Sequence, residues 1–147
     1  MEVNKSTDKL ISRRGLLCAA ALVAVGLTAE MADGASAATG VTQVGNKLKV
    51  DLKKNKSLSK VGGVVQIDLA NGQSLALVRT AAGTKGLIAI SLACTHMGAT
   101  VMQQGNSWVC PAHGSKFGIS GNLEAGPARS ALQKFPVVAT ATTATVG

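Results

Sequence analysis

Tyrosine is missing from this chain, and its aromatic residues are limited to Phe117, Phe135 and Trp108. An aromatic content of 2% rules out a core built on stacked rings. It also removes the platform on which proteins bind single-stranded nucleic acid, so nucleic acid is not an expected partner despite the positive charge. Acidic residues are few as well: 7 Asp and Glu against 15 Lys and Arg leave a net charge of +8, which favours acidic partners and anionic lipid headgroups. Cysteine occurs at positions 18, 94 and 110, too few for a disulfide framework. After residue 40 no stretch shows an apolar period of 3.6, so a helical domain is not expected.

With 147 residues, 46% of them hydrophobic, the chain has room for one domain with a modest core of Val, Leu, Ile and Ala. A core this poor in rings gains from any group bound inside it. The segment "KLKVDLKK" at 47–54 alternates Leu48, Val50 and Leu52 with charged neighbours, the period of a half-buried strand. "VVQIDLA", Asn71-Gly72 and "QSLALVRT" read as a hairpin whose turn has the residues of type I′. "LIAISLA" at 87–93 follows, and then a short pair, "ATVMQQ" and "SWVC", joined through Gly105-Asn106. Short strands between Gly-rich turns predict an all-β fold, a small antiparallel β-sandwich or barrel. The "TATTATV" tail is expected at an edge or as a loose end.

The N-terminal residues read as an address. Arg13-Arg14, an apolar run from Gly15 to Ala29 and "ASA" at 35–37 have the order of an export signal, a signal helix cleaved after Ala37. The run is shorter than the roughly 20 residues a membrane span needs; the alternative is an uncleaved anchor or buried helix. The twin arginine after Ser12 resembles the Tat signal, which moves proteins already folded. Localisation is therefore expected in the periplasm or on the outer face of the cytoplasmic membrane. Cys18, inside the apolar run, is read as a small apolar residue. Residues 1–37 balance Lys5, Lys9, Arg13 and Arg14 against Glu2, Asp8, Glu30 and Asp33, so the whole +8 falls on a domain of residues 38–147.

The residues that carry chemistry lie in "CTHMGATVMQQGNSWVCPAHGSKF" at 94–117. Cys94 and His96 follow one predicted strand, Cys110 and His113 another, so two loops at neighbouring strand ends can face one another. Structural zinc sites usually take a pair of Cys and then a pair of His. Here each loop offers one thiolate and one imidazole, which suits a binuclear site with both thiolates on one iron and both imidazoles on the other. A zinc-stabilised binding module remains the alternative.

"CTHMG" and "CPAHGS" resemble the two loop motifs of Rieske proteins, and "GPA" at 126–128 resembles the proline-containing loop that covers their cluster. The likeness spans roughly residues 60 to 138. It implies a [2Fe–2S] cluster bound by a two-loop subdomain, with Cys94 and Cys110 on the buried iron and His96 and His113 on the exposed one. Ala99 and Ala112 stand where the respiratory and photosynthetic members carry a disulfide. Ser115 matches a serine that donates to a bridging sulfide, and Phe117 replaces a tyrosine donor, so a lowered potential is expected.

The family implies one-electron transfer by an exported carrier, not an enzyme on its own. Alternatives are the Rieske subunit of a cytochrome bc-type membrane complex and the small subunit of a periplasmic molybdenum oxidoreductase. The partner is expected to be a redox protein with an acidic docking face. Lys53, Lys54, Lys56 and Lys60 read as a solvated loop; if they dock that partner, electron transfer slows as salt rises. Trp108 is read as core.

Overall fold

The structure, a computed structural model, describes residues 36–147. The signal helix, the twin arginine and Cys18 lie outside the described residues. Among the described residues no helix is long and apolar enough to cross a membrane. In chain order the strands are β1 (Ser36–Ala37), β2 (Val41–Val44), β3 (Lys47–Asp51), β4 (Val64–Asp68), β5 (Ser74–Arg79), β6 (Leu87–Ser91) and β7 (Met102–Gln104). They continue as β8 (Ser107–Val109), β9 (Lys116–Gly118), β10 (Leu123–Ala125), β11 (Lys134–Phe135), β12 (Val137–Ala139) and β13 (Thr143–Val146).

The all-β reading holds, with the strands arranged in three sheets. A central sheet runs β1-β4-β5-β6-β11, a second runs β10-β9-β8-β7, and a third runs β12-β13-β3-β2. All pairings are antiparallel except β1 with β4. The central strands are covered on both faces. Val65, Ile67, Leu75, Leu77, Leu87 and Ala89 pack with Leu48, Val50, Ala144 and Val146 of the third sheet. Val64, Ala76, Val78 and Ile90 point the other way, into a cluster with Trp108, Phe117, Cys94 and Cys110. Burial of both faces explains why β5 and β6 are nearly continuous apolar runs, whereas β3 alternates.

Two expectations need correction. The β4–β5 turn is longer than a type I′ turn at Asn71-Gly72: Leu69 N donates to Gln73 O (2.8 Å) and Gly72 N to Leu69 O (2.9 Å), making a three-residue loop. The C-terminal tail is neither edge nor loose, because β13 lies between β12 and β3 with Ala144 and Val146 buried. Its threonines face away from the core, which gives the segment its polar look. The proposed cleavage point coincides with the end of β1; a cut there would remove β1 and leave β4 at the edge of its sheet.

Register fixes which loops share an end. Arg79 pairs with Leu87 and Leu75 with Ser91, so Cys94 emerges from the end of the central sheet opposite Arg79. The loop of residues 52–63 sits at the Arg79 end, where Arg79 Nε donates to Leu58 O (2.8 Å). Lys53, Lys54, Lys56 and Lys60 are exposed there.

Leu77 is fully buried in the middle strand of the central sheet. Leu77→Ala is expected to lower unfolding free energy by about 2–5 kcal/mol in denaturant titration. A loss below about 1 kcal/mol would mean that the site collapses around the smaller side chain.

Candidate metal centre

The two loops share one backbone frame. Cys94 N donates to Ala99 O (2.8 Å) and Gly98 N to Cys94 O (2.7 Å). In the second loop Cys110 N donates to Ser115 O (2.8 Å) and Gly114 N to Cys110 O (2.9 Å). Each cysteine thus bonds forward to the residue five positions on and receives the amide of the glycine four positions on. Gly98 and Gly114 have φ of 78° and 75°, a conformation costly for any residue with a Cβ. The sequence carried this signal as Cys-x-x-x-Gly in both loops, and reading only Cys-to-His spacing missed it.

Within this frame Cys94 and Cys110 are buried, 3% and 2% exposed, in the same apolar cluster as Trp108 and Phe117. His96 and His113 are exposed, their ring centroids 4.9 Å apart and their planes at 88°. Burial opposes ionisation of Cys110, but the backbone amide of Ala112, the Cys94 side chain and the backbone amide of His113 outweigh it and hold the thiol below its usual pKa. A thiol already inclined to ionise has less to give up on metal binding. Both cysteines are free, so no disulfide links the loops.

Segment 126–130 ties the two loops together instead. Thr95 Oγ1 of the first loop donates to Ser130 O (2.7 Å), and Ala128 N donates to Ser115 Oγ of the second (3.0 Å). Ser115 is fully buried. Its oxygen accepts from Ala128, which leaves its proton for an acceptor within the site. Pro127 and Arg129 of the same segment line a small cleft with Thr95 and His96.

Below the loops, Trp108 and Phe117 are cross-strand partners on β8 and β9, both fully buried. Trp108 Nε1 donates to Ile119 O (3.1 Å), so Trp108 is core with a satisfied polar edge, as expected. Phe117 brings no hydroxyl to its position.

The donor set fits a binuclear cluster. Two buried thiols beside two exposed imidazoles would offer two ligands to each of two metals.

Ser115→Ala leaves the buried Ala128 amide without its acceptor, and is expected to cost about 1–3 kcal/mol in thermal or denaturant unfolding. Gly98→Ala and Gly114→Ala are each expected to cost about 1–2 kcal/mol and to lower cluster occupancy, read from the iron content of purified protein.

Known proteins resemble this chain in sequence and fold. The Rieske [2Fe-2S] domain profile matches residues 23–136. The cytochrome b6-f complex iron-sulfur subunit of Chlorobaculum thiosulfatiphilum is 35% identical over 51 residues, which cover 33% of this chain and 28% of that subunit. The match therefore spans under a third of that relative. The plasma membrane Rieske protein PetC3 from Synechocystis PCC 6803 aligns at 26% identity over 58% of this chain and 86% of that one, with a TM-score of 0.48. The quaternary ammonium Rieske monooxygenase CntA shares the fold, with a TM-score of 0.51 at 18% identity, over 63% of this chain and 29% of that one. Since the profile covers most of its length, the chain belongs to the Rieske [2Fe-2S] domain family, and the cofactor of that family, a Rieske-type [2Fe–2S] cluster, is its own.

Proposed function

We propose that this chain is an exported one-electron carrier or redox-complex subunit in which Cys94 and Cys110 hold the buried iron and His96 and His113 the solvent-facing iron. The observation that carries this reading is the pair of exposed imidazoles, 4.9 Å apart, above two buried thiols. When bound, the cluster supplies a one-electron couple. The protein's part is electrostatic and positional. The two cysteines anchor the centre in an apolar pocket backed by Trp108 and Phe117, while the two histidines keep ring edges in water where a partner can approach. Ser115 brings a hydroxyl to the site, and a donor to cluster sulfur favours the reduced state. Phe117 brings none, so the potential is placed below that of quinol-oxidising family members.

His96 and His113 are the chain's only histidines, and as ligands they leave no imidazole for acid-base catalysis. The reaction is completed by a partner. Arg129, beside His96 in the cleft, is the cation that an acidic docking face would meet at the histidine end. Export rests on the Ser12-Arg13-Arg14 stretch and the apolar run to Ala29, and places the domain in the periplasm or on the outer face of the cytoplasmic membrane. The b6-f relative favours a second reading, the Rieske subunit of a quinol-oxidising complex. An uncleaved N-terminus that stays with the membrane fraction separates that subunit from a released carrier.

Purified protein is expected to contain about two irons and two acid-labile sulfides per chain; zinc without sulfide would sink the reading. Cys94→Ser or Cys110→Ser should abolish the cluster's visible absorption. In redox titration, Phe117→Tyr is expected to raise the potential and Ser115→Ala to lower it. A wild-type potential as high as that of the quinol-oxidising proteins would contradict the role given to Phe117.

A further inference from the structure

The charge of the domain is unevenly placed. Lys53, Lys54, Lys56, Lys60, Arg79 and Lys85 all lie in or beside the connections at the Arg79 end of the central sheet, opposed there by Asp51. Asp51 is partly engaged, its Oδ1 accepting from Lys53 N (2.9 Å). The five lysines are exposed. Outside that end the described residues carry Lys47, Lys49, Lys116, Arg129 and Lys134 against Asp68 and Glu124, with Lys116 and Glu124 paired at 3.4 Å. The run from Leu87 to Cys94, at about 3.3 Å per residue, separates the two ends by roughly 20 Å.

The basic end also has an apolar component. A groove of about 460 Å³ opens between the connections 52–63, 80–86 and 140–142, lined by Leu52, Leu58, Ala82 and Ala141 with Lys53 and Arg79 at its rim. Val61, 63% exposed, stands beside it. A surface that meets lipid headgroups combines both features, since cations draw it to anionic lipid and an apolar side chain enters the interface.

The course of the chain supplies a second, independent observation. β1 runs parallel to β4, with Ser36 opposite Val65 and Ala37 opposite Gln66, so the chain reaches β1 from the Val64 side, where Val64 pairs with Val78 next to Arg79. It then passes Asn55, whose side chain bonds both Thr39 N (2.9 Å) and Thr39 O (2.7 Å). The described chain therefore enters β1 at the basic end of the domain.

We infer that the end of the domain carrying Lys53, Lys54, Lys56, Lys60 and Val61 is a contact surface for an anionic lipid bilayer, holding His96 and His113 pointed away from the membrane. An acidic protein is the weaker occupant, because it would sit about 20 Å from the histidine pair and gain nothing for electron transfer.

The test uses the full-length, cluster-loaded protein and sedimentation with phosphatidylcholine vesicles, with and without 30% phosphatidylglycerol. Lys53→Gln, Lys54→Gln, Lys56→Gln and Lys60→Gln are combined in one variant. Its N-terminal segment is that of the wild type, so any binding through that segment is common to both. Each lysine near an anionic surface contributes roughly a fivefold factor. Partition onto the anionic vesicles is thus expected to fall by about 600-fold, with attachment to neutral vesicles unchanged. Arg129→Gln, at the other end, should leave both values within about twofold. Cluster absorption and melting temperature report folding of each variant.

Orientation is read separately from Val61→Trp and Met97→Trp, two exposed positions at opposite ends, against the constant background of buried Trp108. Tryptophan emission at position 61 should shift to shorter wavelength on anionic vesicles, and emission at 97 should not. Equal binding by the wild type and the four-lysine variant overturns the inference. So does a shift at position 97 alone, or a variant that binds vesicles normally while losing electron transfer to an acidic redox protein.

Discussion

Two thiols, Cys94 and Cys110, are held side by side where water is scarce, and the rest of the structure answers to that placement. Burial alone would keep the thiols protonated. The amides of Ala112 and His113 reverse this at Cys110, and they can do so because Gly114 turns the loop back on its cysteine. That turn requires a left-handed residue, and the loop requires a rigid strand on either side. β8 and β9 provide it, with Trp108 and Phe117 packed across the pair. Two of the three aromatic residues are thus spent directly beneath the site. A chain nearly without rings has put them where a dry, stiff floor matters most.

The central sheet is the other half of this support. Because β4, β5 and β6 are buried on both faces, neither neighbouring sheet can shift without exposing apolar surface to water. Ile90 and Leu92 transmit the position of the sheet to Cys94, and Val101 closes the first loop by returning its amide to Leu92 O (2.7 Å). Where other family members have a disulfide between the loops, this chain has Ala99 and Ala112. Its two loops are referenced to one another through Thr95, Ser115 and the segment that contains Pro127. Hydrogen bonds of this kind need no oxidant to form.

The amino-acid sequence made the chemistry more legible than the architecture. Cys94, His96, Cys110 and His113 stand out because those residue types are rare in this chain and their order is unusual. β3 was legible through its alternation, and the β4–β5 hairpin through two apolar runs on either side of Asn71-Gly72. β9 to β12 were not, because strands of two or three residues contain no full period, and their pairing is set by partners far away in the chain. β13 was misplaced because small and hydroxylated residues can line an interior strand when the opposing core side chains, Leu48 and Val50, are large. The lysine run was visible in the sequence, but the end of the molecule it occupies is a property of register. One-dimensional adjacency says nothing of whether a basic loop lies beside the histidines or opposite them.

The shared frame of the two loops carries an offset, because the imidazole is two residues past its cysteine in one and three in the other. The frames match, yet the rings stand at 88°, one presenting its edge and the other its face. A nearly twofold site has in this way been given a handedness. Two chemically identical groups are thereby geometrically inequivalent, one ring turning its edge to the face of the other.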